Sequence, residues 1–256
     1  MAQTPMGAEF PHHAYSSTCS VCGAQGVFTR AKRAIRETYD CSGCGATLRY
    51  RVQADAILSL FPGPGATSLV ALAREPRFAR LVIFEPGVAG PFRRIFQGLP
   101  HYMKSFYWSD LRSGDMRDGV SNQDLMALSM ADATVDLVIT SDIFEHIRHP
   151  LRGFAEIARI LTPGGAHVFT IPMAVPLVPH TTKRVAVDGP EDVHLLPEVY
   201  HGDGKGGRSL VYNDFGLDLL DDLAALGTPT TIHRYNVTER PVNAGMALVS
   251  IKRPAG

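Results

Sequence analysis

An α/β fold built on a mostly parallel sheet, with a small metal-closed module at its N-terminal end, is what the sequence predicts. Three observations predict it. The stretch Val135 to Pro172 reads strand, loop, helix, turn and strand in one pass; two further β-rich runs, Thr230 to Val237 and Met246 to Ile251, follow a helical segment; and all four cysteines fall in the first fifth of the 256 residues.

Val135 to Thr140 is short, apolar and β-branched, the pattern of a strand buried on both faces of a parallel sheet. His149-Pro150 opens a helix, since proline's fixed φ suits a first helical position, and Leu151, Phe154, Ile157, Ala158 and Leu161 recur at helical spacing. Pro163-Gly164-Gly165 stops it before Ala166 to Ile171, a second strand whose parallel return requires a right-handed crossover. Ligands of open α/β sheets bind beyond the carboxyl ends of the strands, which puts Ser141, Asp142, Glu145 and His146 where a site belongs.

The length allows one large domain plus a small one, and 45% hydrophobic with 20% charged residues supports a sizeable core. Lysine plus arginine and aspartate plus glutamate both number 25, so no bulk field draws nucleic acid or an anionic membrane. The N-terminal residues lack a positive end followed by an apolar core, and no apolar run reaches the ~18 residues a membrane helix needs. The expectation is a cytoplasmic protein without a membrane partner.

Cys19-x-x-Cys22 and Cys41-x-x-Cys44 are separated by eighteen residues, and both pairs continue as Cys-Gly-Ala. Two such knuckles present four thiolates at the spacing of a zinc ribbon. Two disulfides are disfavoured by the expected compartment, and a redox pair needs no second knuckle. Four protein ligands leave no open position, so the zinc is structural. His12 and His13 lie close by but are not needed as ligands.

The run Asp136, Val138, Glu145-His146, then Glu156-Ile157, Arg159, Leu161 and Pro163-Gly164-Gly165, resembles the class I S-adenosylmethionine-dependent methyltransferases of the type 11 kind. The order of a CGATLRYR continuation, EPG, HYMKSFYW, Asn122-Gln123-Asp124-Leu125 and DLVIT, with a later HLLPEVYHGD, is similar to a bacterial group of these enzymes that carry an N-terminal zinc ribbon. The resemblance implies a Rossmann-like, seven-stranded sheet, a transferase activity and S-adenosylmethionine as cofactor. It divides the chain into an N-terminal segment with the ribbon (1–46), a helical linker (47–80) and the methyltransferase domain (81–256), with an insertion at about 173–212.

Two placements of the cofactor loop are open. In the first, Ile57 to Phe61 is the opening strand, Gly63 and Gly65 form the glycine turn, and Glu85, twenty residues beyond Gly65, binds the ribose. In the second, preferred on the resemblance, Leu81 to Phe84 is the opening strand, Glu85-Pro86-Gly87 with Gly90 is the loop, and Met103 to Trp108 is the second strand. Asp110 is then the acid nearest the ribose, the family's usual acidic or amide position being Phe106. Gly87 permits the close backbone approach a cofactor demands. The resemblance places the adenine at Asp124 and Leu125, because a carboxylate only accepts and the exocyclic amine donates.

The proline-, glycine- and histidine-rich segment after Pro172 is too long for a simple connection and reads as a wall for the acceptor. Asn213-Asp214 can cap a helix from Phe215 to Leu226 that Gly227 ends. Methyl transfer needs in-line alignment and removal of the acceptor's proton, for which histidine suits. His146 and His201 are favoured over His180 and His194 as catalytic candidates.

Three functions follow. The first is a methyltransferase for a small-molecule acceptor, a sugar or natural-product hydroxyl or amine. The second resembles ribosomal RNA methyltransferases in which a ribbon grips RNA, here through Arg30, Lys32, Arg33, Arg36, Arg49 and Arg51. The third is a methyltransferase-like binding protein without catalysis.

Overall fold

The computed structural model describes residues 13–87, 90–189, 191–202, 206–234 and 245–254. His12, part of the loop after Gly87 and the last three residues of the expected strand Thr230 to Val237 lie outside them.

The ribbon begins with the antiparallel hairpin β1 (Ala14–Thr18) and β2 (Gln25–Thr29). Its two knuckles repeat one backbone device: the Gly23 N–H donates to the Cys19 carbonyl and the Gly45 N–H to that of Cys41, both at 2.8 Å. Both glycines have φ near +80°, at +83° and +73°, where a side chain would be strained.

Helix α1 (Leu48–Leu60) follows and ends where Pro62 and Pro64 forbid continuation. Helix α1 forms the first part of the expected helical linker (47–80); its Leu48, Val52, Ala56 and Ile57 are fully buried, and it packs on the sheet. Ile57 to Phe61 is therefore not a strand, which removes the first placement of the loop; Gly63 instead turns the chain against Glu75. Two single-turn helices, α2 (Leu69–Leu72, capped by the Ser68 hydroxyl) and α3 (Pro76–Ala79), lead into β3 (Ile83–Pro86). Then come α4 (Phe92–Phe96), β4 (Tyr102–Phe106), β5 (Met116–Arg117), β6 (Val120–Asn122) and β7 (Val135–Ser141). A 3-10 turn (Phe144–His146), α5 (Pro150–Ile160) and β8 (Leu161–Thr170) complete the expected βαβ unit.

Helix α5 stops one residue earlier than its apolar spacing implies, and Leu161 already pairs with Val135. The Pro163-Gly164-Gly165 turn lies inside β8 as an irregularity against Val135 to Leu137. A Cβ on Gly165 would stand 2.9 Å from the Thr162 carbonyl and 3.2 Å from that of Asp136, so only glycine fits. Asp136 secures the same corner, accepting from the Val82 N–H and the Thr162 hydroxyl.

Past β8 the insertion consists of short strands β9 (Thr182–Lys183), β10 (Val185–Ala186), β11 (Val193–His194), β12 (Tyr200–Gly202), β13 (Arg208–Leu210) and β14 (Asn213–Asp214). Asn213-Asp214 pairs with β9 rather than capping a helix. Helix α6 (Asp218–Ala225) starts later, and the Asp218 carboxylate accepts from the N–H and hydroxyl of Thr181. β15 (Thr230–Arg234) and β16 (Met246–Ile251) form the closing antiparallel pair.

The central sheet has eight strands where seven were expected, in the order β15-β16-β8-β7-β3-β4-β6-β5; the additional one is the two-residue edge strand β5. Strands β8, β7, β3, β4 and β6 are mutually parallel. From β3 the chain runs outward through β4 and β6, then returns to lay β7 on the other side. The carboxyl ends of β3 and β7 thus flank the switch point at which open sheets bind ligands. Ile83, Leu137, Ile139 and Val168 face α1 and the ribbon, whereas Phe84, Val138 and Phe169 face α5 and α6, which is the two-sided burial a parallel sheet requires.

Two polar residues of α1 tie this architecture together. Arg51, fully buried, places its guanidinium 3.4 Å from the Phe28 ring centre and donates to the Tyr15 hydroxyl at 2.9 Å. Gln53, also fully buried, donates to the Thr140 and Val168 carbonyls at 2.9 and 3.0 Å and accepts from the Ser141 hydroxyl at 2.7 Å. Gln53→Ala leaves these groups unpaired, so urea unfolding is expected to show a loss of about 1–3 kcal/mol; a change within experimental error would refute the clamp.

Candidate functional site

In the ribbon, the Cys19 and Cys44 sulfurs are 3.8 Å apart and those of Cys22 and Cys41 3.6 Å, and all four lie within 4.8 Å of one another. A disulfide needs about 2.05 Å, so these are free thiols. Four sulfurs at about 2.3 Å from one tetrahedral ion stand about 3.8 Å apart, which is the spacing found. The Cys44–Cys19 hydrogen bond lowers the Cys19 thiol and raises that of Cys44, as two sulfurs sharing one proton must. The donor set fits zinc.

The parallel strands deliver Glu85 to Gly87, Trp108 to Asp110, Asn122 to Leu125 and Ser141-Asp142 to one edge of the sheet. Backbone bonds knit these exits: Gly87 N–H donates to the Ser105 carbonyl, Gln123 N–H to Phe106, and Trp108 N–H to the buried Asn122 side chain. Gly87 has φ +108°, which explains the glycine. Beside it, Pro86 is buried at the last position of β3.

Two carboxylates at the switch point are in opposite electrostatic states. Glu85 accepts from the Tyr102 hydroxyl at 2.7 Å, but burial pushes its pKa up to about 7. Asp142 is only partly buried; Arg36 at 2.7 Å and Arg49 at 3.3 Å outweigh the desolvation and hold it below the usual range. The ribbon's Arg36 thus reaches the strand exit, a contact across 106 residues of sequence that no local signal announces. Ser141 is turned to Gln53.

The remaining expected cofactor residues have local partners. Asp110 is exposed and takes both its hydrogen bonds from Arg117, at 2.6 and 3.3 Å. Asp124 accepts from the Met126 N–H two residues on, the Asx-turn geometry of a turn aspartate, while Leu125 beside it is buried.

Beyond Asp142 the 3-10 turn presents Glu145 and His146, and the insertion brings up His201. Glu145 is 1% exposed, and neither carboxylate oxygen has a hydrogen bond among the described residues. His146 Nδ1 lies 2.8 Å from the Leu210 carbonyl, so that nitrogen carries the proton. His146 Nε2 and His201 Nδ1 are each 3.6 Å from Glu145 Oε1. The Glu145 carboxylate raises the His201 pKa above the ordinary imidazole range. The insertion is docked here by Arg148, which donates to Asp192 and the Gly189 carbonyl, and by the Tyr212 N–H on the Glu145 carbonyl. His180 and His194 lie elsewhere on it, near Asp218 and Glu198.

Of the basic residues that an RNA-gripping ribbon would use, Lys32 is paired with Asp40, Arg36 and Arg49 with Asp142, and Arg51 is buried. Among the described residues no helix is long and apolar enough to cross a membrane.

Residues 107–169 match a family described as a methyltransferase domain, and the run from Asp136 to Gly165 lies inside that match. A 45-residue segment is 49% identical to a dimethylglycine N-methyltransferase of Parasynechococcus marenigrum (strain WH8102); it spans 18% of this chain and 16% of that protein's length. Among solved structures, an S-adenosylmethionine-dependent methyltransferase from Mesorhizobium loti superposes with a TM-score of 0.43 at 18% identity, covering 67% of this chain and 91% of the other. A sugar N-methyltransferase from Streptoalloteichus gives 0.42 at 16% identity, covering 70% and 83%.

Proposed function

We propose that this chain is an S-adenosylmethionine-dependent methyltransferase for a small-molecule acceptor, with a structural zinc in its ribbon. The observation that carries the reading is the coincidence of the methyltransferase-domain match with a parallel sheet whose switch point opens between β3 and β7. Bound there, the cofactor supplies an electrophilic methyl group on a sulfonium. Gly87 lets backbone approach it, and Glu85, ionised, complements its cationic methionine end. Asp124 and Leu125 wall the adenine, and Asp110 serves the ribose by exchanging Arg117 for its hydroxyls. Ser141 and Asp142 shape the floor between them. The Glu145, His146 and His201 group is where the acceptor's proton is handled. The insertion walls the acceptor: its Val193, Leu195 and Leu196 are exposed apolar residues suited to an organic substrate. The commitment of four ribbon cations to internal partners supports this reading over an RNA grip.

Calorimetric titration with S-adenosylmethionine is expected to show binding that Gly87→Val weakens at least tenfold, because φ +108° strains a β-branched residue. No binding by the wild-type chain would remove the enzyme reading.

Glu85 yields a pH test. Its folded pKa of about 7 exceeds the ordinary 4.5, so the folded state holds the extra proton between these values and loses stability as pH rises through them. Glu85→Gln should match wild type near pH 4.5 and gain up to about 3 kcal/mol by pH 8 in chemical unfolding, while binding cofactor more weakly. Equal stability differences at both pH values would refute the burial argument.

Loaded with Co²⁺, the ribbon should show thiolate-to-metal charge-transfer absorption that Cys41→Ser abolishes, with a lowered melting temperature; retention of both would refute a four-thiolate site.

A further inference from the structure

We infer that Glu145, His146 and His201 form a second divalent-metal site, separate from the ribbon and with coordination positions left open. The first ground is Glu145 itself. A carboxylate 1% exposed, with neither oxygen hydrogen-bonded among the described residues, is costly unless a cation meets it. The second is the tautomer of His146. The Leu210 carbonyl can only accept, so Nδ1 holds the proton and Nε2 turns a lone pair toward Glu145. A backbone carbonyl orienting an imidazole through its other nitrogen is the arrangement metal-ligating histidines use.

The third ground is spacing. Both imidazole nitrogens stand 3.6 Å from Glu145 Oε1, and the three ligand atoms lie within 4.8 Å of one another. Ligands about 2.1 Å from one ion at tetrahedral angles lie about 3.4 Å apart. The distances are long for hydrogen bonds and right for ligands sharing an ion. The two rings, 5.0 Å apart and nearly perpendicular at 89°, are not stacked on each other.

Two imidazoles and a carboxylate suit Zn²⁺, Fe²⁺, Co²⁺ or Mn²⁺ better than Mg²⁺ or Ca²⁺. Three protein ligands, unlike the ribbon's four, leave room for an exogenous oxygen. His201 is 39% exposed on its side chain, which gives that oxygen a route in.

The role of the site rests on the proposed methyl transfer. An acceptor hydroxyl bound to the ion has a lowered pKa and yields its proton to solvent. Its oxygen then bonds to the methyl carbon as the carbon–sulfur bond breaks, leaving the electron pair on sulfur. The substrate class assigned is a hydroxyl with a neighbouring oxygen donor, as in a 1,2-diol or 2-hydroxy acid.

The test uses the full chain with its ribbon loaded with zinc, titrated with Mn²⁺ and followed by the paramagnetic resonance of the free ion. One Mn²⁺ per chain is expected, bound at least tenfold more weakly by Glu145→Gln and by His201→Ala. Co²⁺ in this site should show weak d–d bands without thiolate charge transfer. Absence of Mn²⁺ and Co²⁺ binding beyond the ribbon, or binding that neither variant alters, would overturn the inference and leave a protonated His201 on Glu145 as the occupant. His201→Ala lies in the insertion, outside the main sheet, and decides the matter if Glu145→Gln does not fold. Cofactor titration is read separately: metal binding without S-adenosylmethionine binding would sink the methyl-transfer reading alone, and the converse result would sink the metal site alone.

Discussion

Helix α1 carries polar side chains into two interiors at once, and both halves of the molecule depend on how they are satisfied. Arg51 enters the ribbon, against Phe28 and the Tyr15 hydroxyl, while Gln53 enters the sheet and bonds carbonyls on two neighbouring strands. A buried guanidinium is tolerable only where aromatic faces and oxygens receive it, so the ribbon must be folded for α1 to be stable in place. Ribbon and sheet are therefore mechanically one body through this helix.

The same coupling reaches the strand exits. Asp142 adopts φ +52°, a strained conformation for a non-glycine residue, and is held there by Arg36 from the ribbon and Arg49 from α1. The folded ribbon thereby shapes the floor of the sheet edge through Arg36. One strand away, burial pushes the Glu85 pKa up to about 7 against the opposing pull of the Tyr102 hydroxyl and the Arg93 charge. At one switch point burial thus moves one carboxylate up while paired guanidinium groups hold the other down.

The insertion contributes position as well as surface. Its Leu210 carbonyl sets the tautomer of His146, its Tyr212 N–H satisfies the Glu145 backbone, and its His201 completes the group. A segment with little regular structure of its own is thus tied to the rigid exit of β7, as functional loops on α/β scaffolds are.

Local chemistry made much of this legible in the sequence. The βαβ unit from Val135 to Thr170 follows from periodicity and turn residues, which act over a few positions. The four-cysteine cluster follows from knuckle spacing, and a strand does run into Glu85-Pro86-Gly87 where Ile57 to Leu60 is helical. What the tertiary structure alone decided are contacts between residues far apart in sequence. Arg36 meets Asp142, Gln53 spans two strands, and His201 meets Glu145 only because the insertion folds back on the 3-10 turn. It also decided that Arg51 and Gln53, polar residues of a kind usual at surfaces, are fully buried against their partners. Sequence encodes which groups can bond; only the packed chain determines which of them are brought within reach.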